Sequence, residues 1–573
     1  MTRIFNNPED FRAEFLLGLA AAYPHLVRPV PGGSGVASVD AGADGRVGVV
    51  IGGGSGHYPA FAGLVGPGLC DAAVVGEIFT SPSAEAVFQC IKAADGGAGV
   101  LLSFGNYSGD VMHFGLAAQR ARREGIDVRI VLVTDDVASA DALSESARRG
   151  VAGGFYVFRG SSAAAHAGMS IDEVESVARE INARTRSIGI AFDGCTFPGA
   201  TEPLFAVPRS SMAIGLGIHG EPGLAVVPVG SADDIARLLL SKLLDERPEG
   251  ANRAHVLVNG LGATKYEELF VLFGAIATGL AAVGVSVASC EVGEFVTSLD
   301  MAGCSLTLCW AVPSVDALVQ TDAHAPGYVR AGFTPVTADL DLLRSLLSPL
   351  PAPQATGARP EGDAVKLVVL LDAMADAIED AKDELGRLDA VAGDGDHGLG
   401  MARGMRAAAT AAAHAGPGVA DVLDAAGMAF AEQAGGASGA LWGAALCAMG
   451  HRVADGGTAA DALRSGLQAI QDLGGAQVGD KTLVDAMAVF VSEFSTSRLP
   501  PAEAWAHASA AAESAATETA SMVSKRGRAA VHGERGRGTP DPGAISFAIA
   551  VGAVAIALQH LVEPIPKHVG RSE

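Results

Sequence analysis

Residues 348–362 read Ser348-Pro-Leu-Pro-Ala-Pro-Gln-Ala-Thr-Gly-Ala-Arg-Pro-Glu-Gly362, a run that suits the interior of neither a helix nor a strand. It separates two textures. Before it, short β-rich apolar runs alternate with helix-like segments. After it, Ala, Leu, Met and Glu recur at helical spacing and β-branched runs are few. A chain of 573 residues is too long for one core. The expected architecture is an α/β half of two lobes (1–184 and 185–345), a Pro-rich linker (346–362) and an all-helical domain (363–573).

In the first half, Val47–Ile51, Val100–Phe104 and Val128–Val133 read as buried strands. They are followed by Gly52-Gly-Gly-Ser-Gly-His57, Gly105-Asn-Tyr-Ser-Gly-Asp110 and Thr134-Asp-Asp136. Continuous apolar strands with helices between them predict a parallel sheet, whose ligands lie beyond the carboxyl ends of the strands. The second lobe resumes the pattern with Ser187–Phe192, Met212–Gly217 and His255–Val258. The middle one leads into Ile218-His219-Gly220-Glu221-Pro222-Gly223.

Composition narrows the function. A net charge of −24 argues against nucleic acid as a partner. No apolar run reaches the roughly 18 residues of a membrane span, and the first residues have no apolar signal core. Cys70, Cys90, Cys195, Cys290, Cys304, Cys309 and Cys447 are scattered, odd in number and without a C-x-x-C pair, as expected of reduced thiols in a cytoplasmic protein.

The densest chemistry is Asp389-Ala-Val-Ala-Gly-Asp394-Gly-Asp396-His397-Gly398. Three carboxylates this close repel unless a cation joins them, and the intervening glycines let the backbone aim them at one point. Oxygen ligands without thiolate suit Mg²⁺ or Ca²⁺ rather than zinc, and Mg²⁺ held this way leaves positions for phosphates. A solvated acidic turn would have the same composition.

Other runs carry weaker signals. Gly52–His57 is not in dinucleotide-binding register, because His57 stands where the last glycine should be, and no Gly-Lys pair exists to make a P-loop. His57 and Asp110, if adjacent, would form an acid/base pair able to deprotonate a hydroxyl. His219, flanked by glycines, suits either a structural histidine or a nucleophile that meets a carbonyl. Ala434-Gly-Gly-Ala-Ser438-Gly439 precedes a helix expected from near Ala440, and helix N-termini suit phosphate. Gly479-Asp480-Lys481-Thr482 precedes another. Arg526, Arg528, Arg535 and Arg537 surround a Gly-rich loop ending in Asp541-Pro542-Gly543, which fits phosphate binding or an exposed loop.

Taken in order, these runs resemble the single-chain, ATP-dependent dihydroxyacetone kinases over nearly the whole length. The matching runs are IGGGSGHYP at 51–59, FTSPS at 79–83, GNYSGDVMHF at 105–114 and GLGIHGEPG at 215–223. They continue with LVNGLGAT at 257–264, GDGDHG at 393–398, GGASGA at 435–440 and DPGA at 541–544. Eight runs in family order make a specific match. The resemblance implies a two-lobed α/β substrate half joined to an all-α helical-barrel nucleotide domain. It also implies that His219 holds the ketone covalently, and that His57 and Asp110 act on the hydroxyl attacking the γ-phosphate. Gly53, Gly54 and Ser81 match pocket positions, and Asp389, Asp394 and Asp396 match the carboxylates that hold Mg²⁺ against the ATP phosphates. His397, Gly398, Leu399, Gly400, Ser438, Gly439, Gly479, Met487, Arg528, Asp541, Pro542 and Gly543 match positions at or near the nucleotide.

By resemblance, then, the chain is expected to be a homodimeric ATP- and Mg²⁺-dependent kinase of a short ketose. Tyr58 stands where many dihydroxyacetone kinases have Glu, and GHYPAFAGLVGPG at 56–68 is more similar to relatives acting on four-carbon ketoses such as erythrulose. Val531–Gly538 also departs from the family's more hydrophobic loop. Two rival readings are a lyase that cyclises FAD-type nucleotides and a ketose-sensing regulator without turnover.

Overall fold

Six strands form a first sheet: β1 (Val27–Pro29), β2 (Gly35–Ser38), β3 (Gly48–Ser55), β4 (Ala72–Ile78), β5 (Val100–Gly105) and β6 (Val128–Val133), in the order β1-β2-β4-β3-β5-β6. β4, β3, β5 and β6 are parallel, and β1 and β2 extend the sheet antiparallel at the β4 edge. The central strands are buried on both faces, as their unbroken apolar sequences require. The chain passes from β3 to β4 on one side, then crosses back from β4 to β5 on the other side of β3. His57 and Asp110 thus emerge where the strand order reverses, the usual ligand crevice of such sheets.

The glycine run after Ile51 is not the loop its composition suggests. Gly52, Gly53 and Gly54 belong to β3 and pair with Val74, Val75 and Gly76. A Cβ on Gly53 would stand 2.7 Å from the Phe61 ring, and one on Gly54 2.7 Å from the Thr80 nitrogen. Close approach of neighbouring chain therefore accounts for these glycines.

The second sheet contains β7 (Thr185–Ala191), β8 (Ser211–Ile214), β9 (Ala225–Pro228), β10 (Arg253–Gly260), β11 (Ser286–Gly293) and β12 (Gly303–Trp310), in the order β11-β10-β12-β7-β8-β9. Only β10 and β11 are parallel, so this lobe is a mixed sheet rather than a parallel one. β8 stops at Ile214 instead of reaching Gly217, because Gly215 turns the chain at φ 71°. Helices Ala232–Leu244 and Tyr266–Ala282 bury Leu239, Leu243, Ile276 and Leu280 with Ile188, Val256 and Leu306 of the sheet.

The computed structural model describes residues 4–332, 339–347, 359–526 and 536–562. Most of the expected linker, at 348–358, lies outside the described residues, as does Arg528. The chain divides into two compact units, Met1–Ser348 and Pro349–Glu573. In the second unit, helices Asp363–Asp389, His397–Ala412, Val419–Ala434, Gly436–Ala454, Ala459–Gly474, Leu483–Thr496, Pro501–Glu518 and Pro542–Val562 each pack on the next, and the last packs on the first. The result is a closed helical barrel.

The last helix corrects the composition argument. Over Pro542–Leu561 it is long and apolar enough to cross a membrane, with mean hydropathy 2.0. Its apolarity serves the barrel instead. Ala544, Phe547, Ala550, Val551 and Val554 are buried in the core, and Trp505 Nε1 and Ser509 Oγ both donate to the Val551 carbonyl.

Candidate active site

In the first unit, the ends of both sheets converge on a pocket lined by Gly53, Gly54, His57, Tyr107, Asp110 and His219. His57 leaves the end of β3 and is buried. Its Nδ1 lies 2.7 Å from the Thr297 carbonyl and its Nε2 lies 3.1 Å from His219 Nε2. Phe79, held at φ 54°, stacks on the His57 ring at 5.0 Å and 12°. Burial, and then the neighbouring His219, lower the His57 pKa to about 3, so the ring is neutral at physiological pH.

His219 sits in the tight loop after β8. Its Nδ1 is 3.0 Å from Glu221 Oε1, and its backbone N–H donates to Glu221 Oε2 at 3.0 Å. Burial raises the Glu221 pKa, but hydrogen bonds from His219 outweigh it and hold the group down at about 2. Glu221 is therefore an ionised acceptor that fixes the His219 ring. The edges of Phe79 and Tyr107 close around that ring at 5.0 and 4.9 Å.

Asp110 lies in the first turn of helix Ser108–Arg123, directly after β5. Burial raises its pKa to about 6, partly offset by a hydrogen bond from Ser81. Its buried Oδ1 has no hydrogen-bond partner among the described residues. An orphaned carboxylate oxygen in a pocket is suited to accept a proton from a substrate hydroxyl. His57 and Asp110 share the pocket but not a hydrogen bond, because both His57 nitrogens already face Thr297 and His219. Ser81 reaches the site through Asp110. Tyr58 is not among the pocket-lining residues. Its ring packs against Phe15 at 5.8 Å.

In the second unit, the Asp389, Asp394 and Asp396 carboxylates each bring an oxygen within 4.8 Å of the others. Asp389 Oδ2 accepts from the N–H groups of Gly395 and His397 at 2.9 and 3.4 Å, which curls the loop. Three hard oxygen donors at this separation fit Mg²⁺. Asp389 and Asp396 line a cleft with His397, Gly400, Ser438, Asp541, Pro542 and Gly543. His397 Nε2 meets Ser546 Oγ at 3.0 Å and Nδ1 faces Ser438 Oγ at 3.4 Å, tying three helix starts together. The helix expected from near Ala440 begins at Gly436, so Ser438 lies in its first turn, where N–H groups have no partner within the helix.

Five of the residues expected at or near the nucleotide are not among those that line this cleft. Met487 points into the apolar barrel interior beside Trp442, Leu446 and Phe547. Gly398 packs against the Lys382 carbonyl and Gly439 against that of Ala431, so both are helix contacts. Leu399 is exposed outside the cleft lining. Gly479 donates its N–H to Asp485 Oδ1 and serves the cap of helix Leu483–Thr496.

Sequence reasoning missed Arg403 and reads Lys481 of the Gly479–Thr482 run as no more than a surface charge, whereas both line the cleft. Lys481 is buried and its ammonium donates to the carbonyls of Met522, Gly536 and Thr539 at 3.2, 2.7 and 2.8 Å. It also missed Glu221, Tyr107 and Thr297. The His-x-Glu spacing after a strand was the available signal for Glu221.

Residues 17–327 match the Dak1 domain and residues 391–555 the DAK2 domain. The chain is 48% identical to the L-erythrulose 1-kinase and 47% identical to the D-erythrulose kinase of Mycolicibacterium smegmatis, covering 97% of this chain and 99% and 98% of theirs. In structure it is similar to the dihydroxyacetone kinase from C. freundii in complex with AMP-PNP and Mg²⁺, with 28% identity, a TM-score of 0.63, and coverage of 97% of this chain and 99% of that one.

Proposed function

Because the chain belongs to the ATP-dependent dihydroxyacetone kinase family and is a phosphotransferase acting on an alcohol group, we propose that it phosphorylates a primary hydroxyl of erythrulose or dihydroxyacetone, with the ketone held covalently on His219. The observation that carries this reading is the meeting of His219 Nε2 and the unpartnered Asp110 Oδ1 at one pocket. High identity to two erythrulose kinases favours a four-carbon substrate. Since these two act, by their names, on opposite enantiomers at nearly equal identity, overall similarity does not select the handedness.

In this reading the Nε2 lone pair of His219 adds to the ketone carbon. The carbonyl π pair moves to oxygen, which is protonated from solvent. The ring becomes cationic and its Nδ1–H stays paired with ionised Glu221. Fixing a small ketose this way positions its hydroxyl, and Asp110 accepts the hydroxyl proton. Asp389, Asp394 and Asp396 would hold Mg²⁺, which neutralises phosphate charge when bound. His397 and Ser438 line the cleft assigned to ATP. The protein acts as a cytoplasmic homodimer in this reading, which light scattering checks.

The test is ADP release from Mg-ATP with dihydroxyacetone, D-erythrulose, L-erythrulose and glyceraldehyde, using the full chain and His219→Ala. The ketoses should support turnover in the native protein alone. Unchanged turnover in His219→Ala would refute the covalent step. Absence of turnover with every ketose would refute the kinase reading.

A further inference from the structure

The loop Thr134-Asp-Asp136 after β6 has no part in the chemistry described so far, yet it is buried and charged. Asp136 is 3% exposed, and it holds the Arg149 guanidinium by Nε at 3.0 Å and Nη2 at 2.8 Å. The arginine is fixed at its backbone as well: its N–H donates to Ser139 Oγ and its carbonyl accepts from Asp136 N. From this anchor on the first sheet the side chain crosses to the second. Nη2 donates to the Gly215 carbonyl at 3.2 Å, at the exit of β8, and Nη1 stands 3.8 Å from Glu221 Oε2. The other Glu221 oxygen accepts His219 Nδ1–H.

We propose that Arg149 is a positioning residue for His219, acting through Glu221. The inference rests on the reading of His219 as nucleophile. A carboxylate on a loop with several glycines can rotate, and a rotated Glu221 would release Nδ1. The His219 ring could then carry its hydrogen on either nitrogen, and Nε2–H is not a nucleophile. Arg149 restrains this rotation by charge at Oε2, the oxygen that also accepts the His219 backbone N–H, with Asp136 holding the guanidinium in place. Gly217 supports the assignment. A Cβ there would overlap the Glu221 carboxylate and lie 2.6 Å from Arg149 Nη1, so the sequence leaves that space to the ion pair.

The experiment compares the full chain with Arg149→Met, Arg149→Lys, Gly217→Ala and His219→Ala. Initial rates are measured separately against erythrulose and Mg-ATP, and ¹⁵N NMR of labelled histidine reads which His219 nitrogen bears hydrogen. Arg149→Met should lose about tenfold or more in kcat/KM for the ketose. Its KM for Mg-ATP should stay unchanged, and its His219 signal should change from one tautomer to a mixture. Arg149→Lys should recover part of the rate and Gly217→Ala should reproduce the defect. Native ketose kinetics and a native His219 spectrum in Arg149→Met, with His219→Ala inactive, would overturn the proposal and leave the nucleophile reading intact. A fully active His219→Ala would instead overturn the nucleophile reading, and the spectrum alone then judges Arg149. If Arg149→Met does not fold, Arg149→Lys and Gly217→Ala decide by the same measurements.

Discussion

His57 Nε2 and His219 Nε2 stand 3.1 Å apart, and the opposite nitrogen of each ring is committed to an acceptor. The Thr297 carbonyl and the ionised Glu221 carboxylate can only accept, so each ring keeps its hydrogen on Nδ1. The two Nε2 atoms then face each other at hydrogen-bond distance at the edge of the pocket.

Glu221→Gln should lower kcat/KM for the ketose by about tenfold to a hundredfold, the range for partners that orient a functional histidine. The amide no longer dictates the His219 tautomer. Steady-state rates with Mg-ATP saturating check this, and thermal melting should move little.

Activity should rise with pH through about 6, where Asp110 ionises. Burial places its folded pKa above the ordinary 3.8, so between these values the folded chain binds more protons than the unfolded one. Its contribution to stability is therefore lost as pH rises through that window. Asp110→Asn should be inactive, yet its melting temperature should gain on the native protein more at about pH 8 than at about pH 4. A pH–rate profile and paired melts test both halves.

Mg²⁺ should raise the melting temperature of the native protein, because a ligand that binds only the folded state stabilises it. Asp396→Asn should weaken that response and Asp389→Ala should abolish it, since Asp389 also shapes the loop through Gly395 and His397. Scanning calorimetry across a Mg²⁺ titration checks the order.

Gly54→Ala should destabilise the fold by about 1–3 kcal/mol through overpacking against the chain at Phe79 and Thr80. Urea unfolding measures the loss.

Lys481→Met should raise KM for Mg-ATP and cost about 2–4 kcal/mol, because three carbonyls lose a charged donor. The segment Gly536–Asp541 that lines the cleft would then lack its tether. Kinetics with ketose saturating, together with urea unfolding, separate the two effects.

Local pattern was enough for much of the architecture. Val128–Val133 is β6 residue for residue, since a short run rich in Val and Ile has few alternatives to a strand. The helical texture after Gly362 became a barrel of helices for a similar reason. β11 and β12 escaped notice because Ser, Cys and Gly interrupt their apolar runs, and their strand character comes from pairing with β10. The glycines of β3 misled in the opposite direction: they suggested a loop, whereas the approach of Phe61 and Phe79 makes them strand.

The sequence by itself determined which chemistry was available: three carboxylates in one loop, histidines after strands, an aspartate after a Gly-rich turn. Short-range spacing encodes these, because the chain between such residues is only a few bonds long. Which groups work together was decided by the tertiary structure alone. His57 meets His219 across 162 positions and Thr297 across 240. Arg149 meets Glu221, and Met487 turns from the cleft into the barrel. Contacts of that separation depend on how sheets and helices pack, and local spacing does not contain that information.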